Sequence, residues 1–299
     1  MLMKNSKQSR ISIGMPVFNC GDTVEMAIKS ILDQSYDNFE LIISDNNSTD
    51  ATSAICEHYA LCDSRISYYR QPTSITWPEN FTYVFRKSSG EFFTWAAGDD
   101  WKSNNFLKLN LELLIANPSA VASMSPFSFE KKGILTPRIE LGQFKGMSIH
   151  KFKKFFEIAN TSHGMLYSLI RKESLEECDF MPNLFFGWDW ALILFLLEKG
   201  DIVLEKNAYT IFNTSGVSNS PKVYKIHGLV GIKRSLPYLK FSLEVLKFSK
   251  NLACKDKFYL VLLLTRLNFL TAIRELRKIR YFLSNAKKCI RSTFNAVGN

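Results

Sequence analysis

The sequence lacks any apolar stretch long enough to cross a bilayer. Its two longest apolar runs, Leu184–Leu197 and Phe258–Ile273, are interrupted by Asp189 and by Arg266. Both runs fall short of the roughly 20 clean residues that a membrane-spanning helix requires. The first ten residues are polar and contain no hydrophobic core of a signal peptide. We therefore expect a cytoplasmic protein that is soluble or bound to a membrane surface.

Paired cysteines and the common nucleotide-binding fingerprints are also missing. The six cysteines occur without a CxxC pair and without the spacing of a zinc site, which predicts reduced thiols. There is no glycine-rich dinucleotide fingerprint after a strand and no P-loop. These absences argue against a zinc site, a Rossmann-type dinucleotide fingerprint and a P-loop NTPase.

Positive charge is abundant, but it is concentrated in one part of the chain. Residues 222–299 contain 17 Lys and Arg against 3 Asp and Glu, a net charge of +14, whereas residues 1–221 have a net charge of −4. This asymmetry predicts two regions with a boundary near residue 221. An anionic partner for the second region would be a membrane surface or a nucleic acid. The absence of a nucleic-acid-binding motif and the acidic balance of the first region argue against nucleic acid.

Strands and helices alternate through the first part of the chain, which is typical of βαβ units and a mostly parallel sheet. The predicted strands are Ile11–Met15, Phe39–Ser44, Arg65–Arg70 and Glu91–Ala96, and the predicted helices begin near Asp22, Asp50, Glu79 and Asn104. Further along we expect strands within Ala120–Phe129 and Gly164–Ile170, followed by the helix Trp188–Lys199. That helix is apolar nearly all round, so it should be buried.

Polar clusters follow three of these strands: Phe18–Asp22, Asp45–Asp50 and Gly98–Asp100. Ligands of parallel sheets bind beyond the carboxyl ends of the strands, so the three clusters should converge on a binding site. The adjacent carboxylates of Asp99 and Asp100 repel each other unless a cation neutralises them, and Mg²⁺ and Mn²⁺ prefer such oxygen ligands. The alternative is a turn in which an aspartate caps the following helix.

Four sequence motifs appear in order along this region. They are Pro16-Val17-Phe18-Asn19, Ser30–Tyr36 (SILDQSY), Glu40–Asp50 (ELIISDNNSTD), and Ser89–Phe92 leading to Gly98-Asp99-Asp100. Together they resemble the family 2 glycosyltransferases, specifically over residues 10–118 and more weakly to about residue 220. The resemblance implies an α/β GT-A fold, with a Rossmann-like, mostly parallel central sheet flanked by helices. It also implies a nucleotide-sugar donor, a divalent metal ion and inversion at the anomeric carbon.

The resemblance also assigns roles to individual residues of the first half, 10–118. Asp45, next to Asn46, would recognise the base, through the N–H of uracil; the alternative for Asp45 is an Asx-turn. Asp100 would bind the metal ion, with Asp99 beside it near the ribose or diphosphate. Gly98 departs from the family pattern, which has an aspartate there. The residues that would line the nucleotide pocket are Pro16, Val17, Phe18 and Asn19.

The acceptor half, 119–221, should supply the catalytic base. Asp189, in the sequence Phe185–Trp190, is the candidate, and the alternative is a carboxylate placed in the first helical turn by the helix dipole. Many relatives complete the metal site with a histidine, but this chain has Asn213 at that position. His163 and His227 are better explained as ordinary polar residues than as ligands. Four tryptophans could either stack on sugars or belong to the core: Trp95, Trp101, Trp188 and Trp190.

These assignments predict an inverting glycosyltransferase that uses a UDP-sugar and Mn²⁺ or Mg²⁺. The acceptor would be a hydroxyl of a glycan or of a lipid-linked glycan, in cell-surface polysaccharide or lipopolysaccharide assembly. One alternative is a metal-dependent nucleotidyl- or phosphotransferase that uses the same aspartate pair and has no need of Asp189. The other is a catalytically degenerate protein that keeps the GT-A fold for binding.

Apolar residues recur beside basic ones between Lys240 and Arg291, which predicts a basic amphipathic helical region over residues 222–299. Such a region can lie on an anionic membrane surface. We therefore expect peripheral association with the cytoplasmic face of a membrane. The alternative is that the apolar stripe packs on the first region or on a second subunit of a homo-oligomer.

Overall fold

The computed structural model describes residues 9–214 and 236–297, except for the side chain of residue 163 and most side chains after Arg274. The chain divides into two compact units, Met1–Ser220 and Pro221–Asn299. His227 and the segment Gly216-Val217-Ser218 lie outside the described residues, as does the side chain of His163.

The first unit contains a seven-stranded and a four-stranded sheet. In the larger sheet, β9 runs antiparallel to both of its neighbours, and the other pairs are parallel. Its strands are β1 (Ile11–Val17), β2 (Phe39–Asp45), β3 (Ile66–Arg70), β4 (Phe92–Trp95), β6 (Ala120–Met124), β9 (Leu169–Arg171) and β10 (Asp201–Leu204), in the spatial order β10-β6-β9-β4-β1-β2-β3. The smaller sheet has the order β5-β11-β7-β8 and contains β5 (Trp101–Lys102), β7 (Phe127–Lys131), β8 (Ile134–Leu135) and β11 (Thr210–Asn213).

Helices cover the central sheet with their apolar sides. In α1 the buried residues Val24, Ala27, Ile28 and Ile31 recur at helical spacing, which is the pattern of a helix with one face against a core. The predicted helix Trp188–Lys199 is confirmed with the same bounds, and its residues from Ala191 to Leu197 are all buried. The helices of this unit are α1 (Val24–Leu32), α2 (Thr52–Cys62), α3 (Trp77–Lys87), α4 (Phe106–Ala116), α5 (Ser148–Ile158), α6 (His163–Leu166), α7 (Glu173–Glu176) and α8 (Trp188–Lys199).

The first strand continues through Pro16 instead of stopping before it. Pro16 pairs with Ser44 of β2, but the pairing of β1 with β4 ends at Gly14. Gly14 accepts a hydrogen bond from the Ala96 N–H on the β4 side, and alternate residues of a strand face the same neighbour. The missing N–H of Pro16 therefore faces the side where β4 has already ended. The proline costs no ladder hydrogen bond there.

Two predicted strands of the middle region differ from the structure. The segment Ala120–Phe129 contains two strands that belong to different sheets, because the chain leaves the central sheet at Ser125 and Pro126. The segment Gly164–Ile170 begins in helix α6, and only its end lies in β9. A Cβ on Gly164 would lie 2.5 Å from the ring of Phe127, so the glycine permits close packing of this short helix. Short apolar runs do not distinguish a strand from a buried helix.

The second unit contains two helices in its described part, Leu239–Phe248 and Cys254–Val297. They are joined by a hydrogen bond from Asn268 Nδ2 to Ser242 Oγ, 2.8 Å long. Both helices fall within residues 222–299, where the sequence predicts a helical basic region; residues 222–235 lie outside the described part. Across the described residues, no helix has both the length and the apolarity of a transmembrane span.

Candidate active site

The three polar clusters predicted to converge do lie together. The strands that they follow, β4, β1 and β2, are neighbours in the central sheet. The Asn19 N–H donates to Ser48 Oγ at 2.9 Å, and the Gly21 N–H donates to Asp50 Oδ2 at 2.9 Å. The Thr23 hydroxyl donates to the carbonyl oxygen of Gly98 at 2.9 Å. These contacts join the three loops at the carboxyl edge of the sheet.

Asp45 is fully buried at the end of β2, and both of its carboxylate oxygens accept hydrogen bonds from the protein. The donors are the Ser48 N–H at 2.9 Å, the Ser53 hydroxyl at 2.6 Å and the Tyr68 hydroxyl at 2.9 Å. Burial by itself would raise the pKa of Asp45, but these hydrogen bonds outweigh it and lower the pKa. Asp45 therefore stays charged and stabilises the loop that follows it. A nucleobase would have to share one of these oxygens, and base recognition by Asp45 stays a prediction.

The other residues predicted to line the nucleotide pocket surround this loop. Val17 is buried at the end of β1, and its carbonyl accepts the Asn46 N–H at 2.9 Å. Phe18 is 52% exposed, and Asn19 adopts a left-handed backbone conformation with φ of 48°. Both ends of the Asn46 side-chain amide bond to the backbone of Ile75. Among these predicted pocket residues, Phe18 is thus the large apolar side chain that is exposed to solvent.

Asp99 and Asp100 follow β4, as the sequence predicts. Asp100 is buried and Asp99 is half-buried. Burial raises the pKa of both carboxyls, and the charge of Asp99 adds to the rise at Asp100. The Asn213 N–H donates to Asp100 Oδ1 at 3.2 Å. Asn213 therefore reaches the aspartate pair through its backbone N–H.

The structure explains why a glycine precedes this pair. A Cβ on Gly98 would lie 2.7 Å from Cys20 Sγ and 2.9 Å from Val17 Cγ1, closer than ordinary van der Waals contact. An aspartate at this position would collide with the loop after β1. Gly98 thus permits tight packing between two of the converging loops.

Two residues that the sequence analysis did not single out lie beside the aspartate pair. Lys102 is buried, stacks over the ring of Phe106 at 4.0 Å, and donates to the Tyr167 carbonyl at 3.3 Å. Burial lowers the pKa of Lys102 to about 7, although the charge of Asp100 opposes the shift. The ring of Tyr167 contacts that of Phe212, with centroids 5.2 Å apart. A lysine two residues after the aspartate pair was the available signal for Lys102; Tyr167 had none.

Tyr167 also relates the aspartate pair to the predicted base. Burial raises the pKa of its phenol well above the ordinary value, and the negative charges of Asp100, Asp99 and Asp189 raise it further. Charges in a protein interior are screened less than in water. Asp189, half-buried in the first turn of α8, therefore influences the same phenol as the two aspartates, and its place in the site stays a prediction. A phenol with a raised pKa keeps its proton and can donate it in a hydrogen bond.

The four tryptophans considered for sugar stacking divide into two groups. Trp95 and Trp188 are fully buried, and their indole N–H groups donate to the carbonyls of Phe81 and Met181. These two belong to the core. Trp101 and Trp190 are half-buried and contact Tyr209 and Phe155, with ring centroids 5.4 and 6.0 Å apart. Trp101 follows the aspartate pair directly, so it is the tryptophan that remains available to a ligand there.

The described residues contain no cluster of three or more His, Cys, Asp or Glu side chains placed to hold a metal ion. The adjacent pair Asp99–Asp100 is thus the acidic group on which a cation site in this part of the chain would depend. Divalent cations at phosphate-binding sites often take one or two carboxylates and complete their coordination with phosphate oxygens and water.

Comparison with known proteins places these features in one family. The model of glycosyl transferase family 2 matches residues 12–178. A GalNAc(5)-diNAcBac-PP-undecaprenol beta-1,3-glucosyltransferase of Campylobacter jejuni is 28% identical over 227 residues, covering 73% of this chain and 71% of the relative. A putative teichuronic acid biosynthesis glycosyltransferase of Bacillus subtilis is 28% identical over 229 residues, covering 72% and 84%.

Solved structures share the fold. The TarS protein of S. aureus, residues 1–349 in complex with UDP-GlcNAc, superposes with a TM-score of 0.64 at 15% identity, over 87% of this chain and 71% of that one. A mannosyltransferase of Pyrobaculum calidifontis in complex with GDP-Man and Mn²⁺ has a TM-score of 0.55 at 14% identity, over 91% and 75%. The predicted GT-A fold is therefore confirmed.

Proposed function

This chain belongs to glycosyl transferase family 2, and on that premise we propose that it transfers a sugar from a nucleotide donor to a hydroxyl of a glycan. The observation that carries the proposal is that the polar loops after β1, β2 and β4 meet at one edge of the sheet, with Asp99 and Asp100 in one of them. The charge of Asp189 acts on the same phenol, that of Tyr167, as the charges of this pair. Asp99 and Asp100, beside the loops after β1 and β2, would bind the diphosphate end of the donor through a cation. Asp189, from the other half of the unit, would face the acceptor.

Asp99 and Asp100 fit a divalent cation, which we propose to be Mn²⁺ or Mg²⁺. Burial and mutual repulsion make two ionised carboxylates costly here, and a bound cation removes that cost. When bound, the cation would neutralise charge on the departing diphosphate. The Asn213 N–H holds Asp100 in place through Oδ1. The Lys102 ammonium, fixed over Phe106, supports the negative charge of Asp100 from the protein side.

Asp189 acts as the general base in this proposal. It accepts the proton of the acceptor hydroxyl while that oxygen forms a bond to C1 of the sugar. The electron pair of the broken C1–O bond leaves with the nucleoside diphosphate. The attack comes from the face opposite the leaving group, so the configuration at C1 inverts without a covalent enzyme intermediate.

We propose a UDP-sugar as donor and a glycan or lipid-linked glycan as acceptor, in the assembly of a cell-surface polysaccharide. The exposed ring of Phe18 offers a surface against which a nucleobase can lie, and TarS, which shares the fold, was solved with UDP-GlcNAc. The Campylobacter relative is named for an undecaprenol-linked acceptor. An acceptor of that kind resides in a membrane, so we place this protein on the cytoplasmic face of one.

Thermal unfolding with nucleotides tests the proposal. UDP with Mn²⁺ should raise the unfolding temperature, because a ligand at 100 times its dissociation constant adds about 2.7 kcal/mol to stability. UDP in EDTA should have little effect, since the aspartate pair then repels the diphosphate. The Asp99→Asn, Asp100→Asn double variant should lose the response to UDP and Mn²⁺.

Two results would contradict parts of the scheme. Equal stabilisation by UDP in EDTA would remove the metal ion from it. A response to GDP but not to UDP would keep the reaction class and overturn the choice of donor. If no nucleoside diphosphate stabilises the chain, the transferase proposal itself is wrong.

A further inference from the structure

The two C-terminal helices are apolar on two opposite sides. In the helix Leu239–Phe248, Phe241 and Val245 are buried, while Leu239, Leu243 and Leu246 form an exposed stripe at helical spacing. A helix that only packs against its own protein carries one apolar side and a polar one. The second apolar side of this helix is therefore not explained by folding of the chain.

The helix Cys254–Val297 repeats the arrangement. Leu260 and Leu264 are buried, whereas Phe258, Leu262 and Phe269 are exposed, Phe258 at 68% and Phe269 at 62%. At 100° per residue the exposed three lie within a narrow stripe on the side opposite the buried pair. Single exposed apolar residues are ordinary, but aligned large ones on neighbouring helices mark an interaction surface. We call these six exposed residues of the two helices the outer stripe.

Basic residues flank the outer stripe at the same position on both helices. Lys240 and Lys247 each follow a leucine of the stripe by one residue, about a quarter-turn around the helix. Lys255 and Arg266 occupy the corresponding side of the second helix, and all four basic residues are exposed. The surface therefore combines large apolar side chains with a border of positive charge.

From this surface we infer that the outer stripe inserts into the interface of an anionic lipid membrane. Apolar side chains would enter the boundary between headgroups and acyl chains, and the basic border would meet the lipid phosphates. The positive charge of this region favours an anionic membrane over a second copy of the chain as the partner. In a dimer, two such surfaces face to face would bring together regions that each carry a net charge of +14. Membrane insertion is a property beyond sugar transfer. It rests on the proposed function only in that a lipid-linked acceptor would lie in the same membrane.

Vesicle co-sedimentation of the full chain tests the inference. Binding should rise with the fraction of phosphatidylglycerol in phosphatidylcholine vesicles, and should weaken as salt is added. The triple variant Leu243→Gln, Phe258→Gln, Phe269→Gln should bind at least tenfold more weakly. Replacing Lys240, Lys247 and Arg266 by Gln should cost about fivefold per charge at low salt. Leu61→Gln, at an 88% exposed leucine of the first unit, is the matched control and should bind like the parent.

Insertion is distinguished from surface attraction by fluorescence. Phe258→Trp and Phe269→Trp variants should gain emission that brominated lipids quench, whereas Leu61→Trp should not. Insertion would be overturned if the triple variant bound vesicles as tightly as the parent and brominated lipids did not quench the tryptophan emission. So would a dimer in solution that the triple variant dissociates, because the stripe would then join two copies. Stabilisation by UDP and Mn²⁺ is measured on the same variants, so failure of the transferase proposal is seen separately.

Discussion

At the scale of single residues, the site depends on carboxylates that differ in how their charge is supported. Asp45 is held by three hydrogen bonds that lower its pKa. Asp100 is buried and its neighbour Asp99 is half-buried, and burial raises the pKa of both. The first arrangement stabilises the folded protein without a ligand. The second is costly by itself, and in the proposed function a bound cation would remove that cost.

Replacing Asp45 by Asn should lower the free energy of unfolding by about 2–4 kcal/mol at neutral pH, the cost of breaking a buried charged hydrogen-bond network. The folded pKa lies below the unfolded value of about 4. The stability that the carboxylate adds is therefore present above pH 4 and is lost as pH falls through the folded pKa. Urea unfolding across this range checks the prediction.

The control for this experiment is Glu57→Gln, an exposed carboxylate of α2, which should change stability little. The difference in free energy of unfolding between the parent and Asp45→Asn should shrink at acid pH. If it stays the same there, the asparagine destabilises the fold for steric reasons, and the predicted pH dependence is wrong.

Asp189→Asn should reduce sugar transfer by about a hundredfold or more, because an amide cannot accept the acceptor proton. Stabilisation by UDP and Mn²⁺ should stay close to that of the parent. Initial rates and thermal shifts on one preparation check both parts. Glu198→Gln, a half-buried carboxylate at the other end of α8, is the matched control. Loss of folding stability together with activity would instead assign Asp189 a structural role in the first turn of the helix.

At the scale of elements, a capping motif in the local sequence sets where helix α3 begins, close to the site. The Thr76 N–H and hydroxyl both donate to Glu79 Oε2 at 2.8 Å, and Pro78 lies in the first turn. This is the capping box of a helix start. The start is followed by Asn80, whose amide group donates to the carbonyl of Ser44 and whose oxygen accepts from the Ser44 hydroxyl. The cap thus positions a contact with β2, one residue before Asp45.

Glu79→Ala should lower the free energy of unfolding by about 0.5–1 kcal/mol, since the start of α3 loses its cap. Glu112→Ala, at an exposed position within α4, is the matched control and should change stability by less. Chemical denaturation of both variants measures the difference. Equal effects of the two substitutions would mean that the Thr76–Glu79 hydrogen bonds add nothing to stability.

At the scale of the whole molecule, charge and chemistry occupy different parts of the chain. The candidate active-site residues all belong to the unit Met1–Ser220, and the basic helices belong to the unit Pro221–Asn299. A net charge of −4 over residues 1–221 keeps that region from binding anionic surfaces without selectivity, whereas +14 over residues 222–299 favours them. We therefore expect that substitutions can alter the proposed sugar transfer and the proposed membrane attachment separately.

A chain that ends at Ser220 should keep its stabilisation by UDP and Mn²⁺ and should lose binding to anionic vesicles. The measurement is a thermal shift and a co-sedimentation assay on the truncated and the full chain. Retained vesicle binding by the truncated chain would place the membrane contact in the first unit. A truncated chain that folds but no longer responds to UDP would show that nucleotide binding needs the second unit.

The sequence by itself determined the features that depend on neighbours along the chain. Strand–helix alternation, the buried α8 and the polar clusters after the strands follow from hydrophobic periodicity and turn chemistry. The resemblance to family 2 rests on motifs in order, and the family model over residues 12–178 confirms it. The charge division at residue 221 needed only counting.

Only the tertiary structure decided which distant residues meet. The three donors around Asp45 come from a turn, a helix and a neighbouring strand, and no local pattern assigns them to one carboxylate. Asn213 reaches Asp100 across 113 residues, and carboxylates from both halves of the unit raise the pKa of the Tyr167 phenol. The physical reason is that periodicity specifies which face of an element is buried. Packing between elements decides what that face meets.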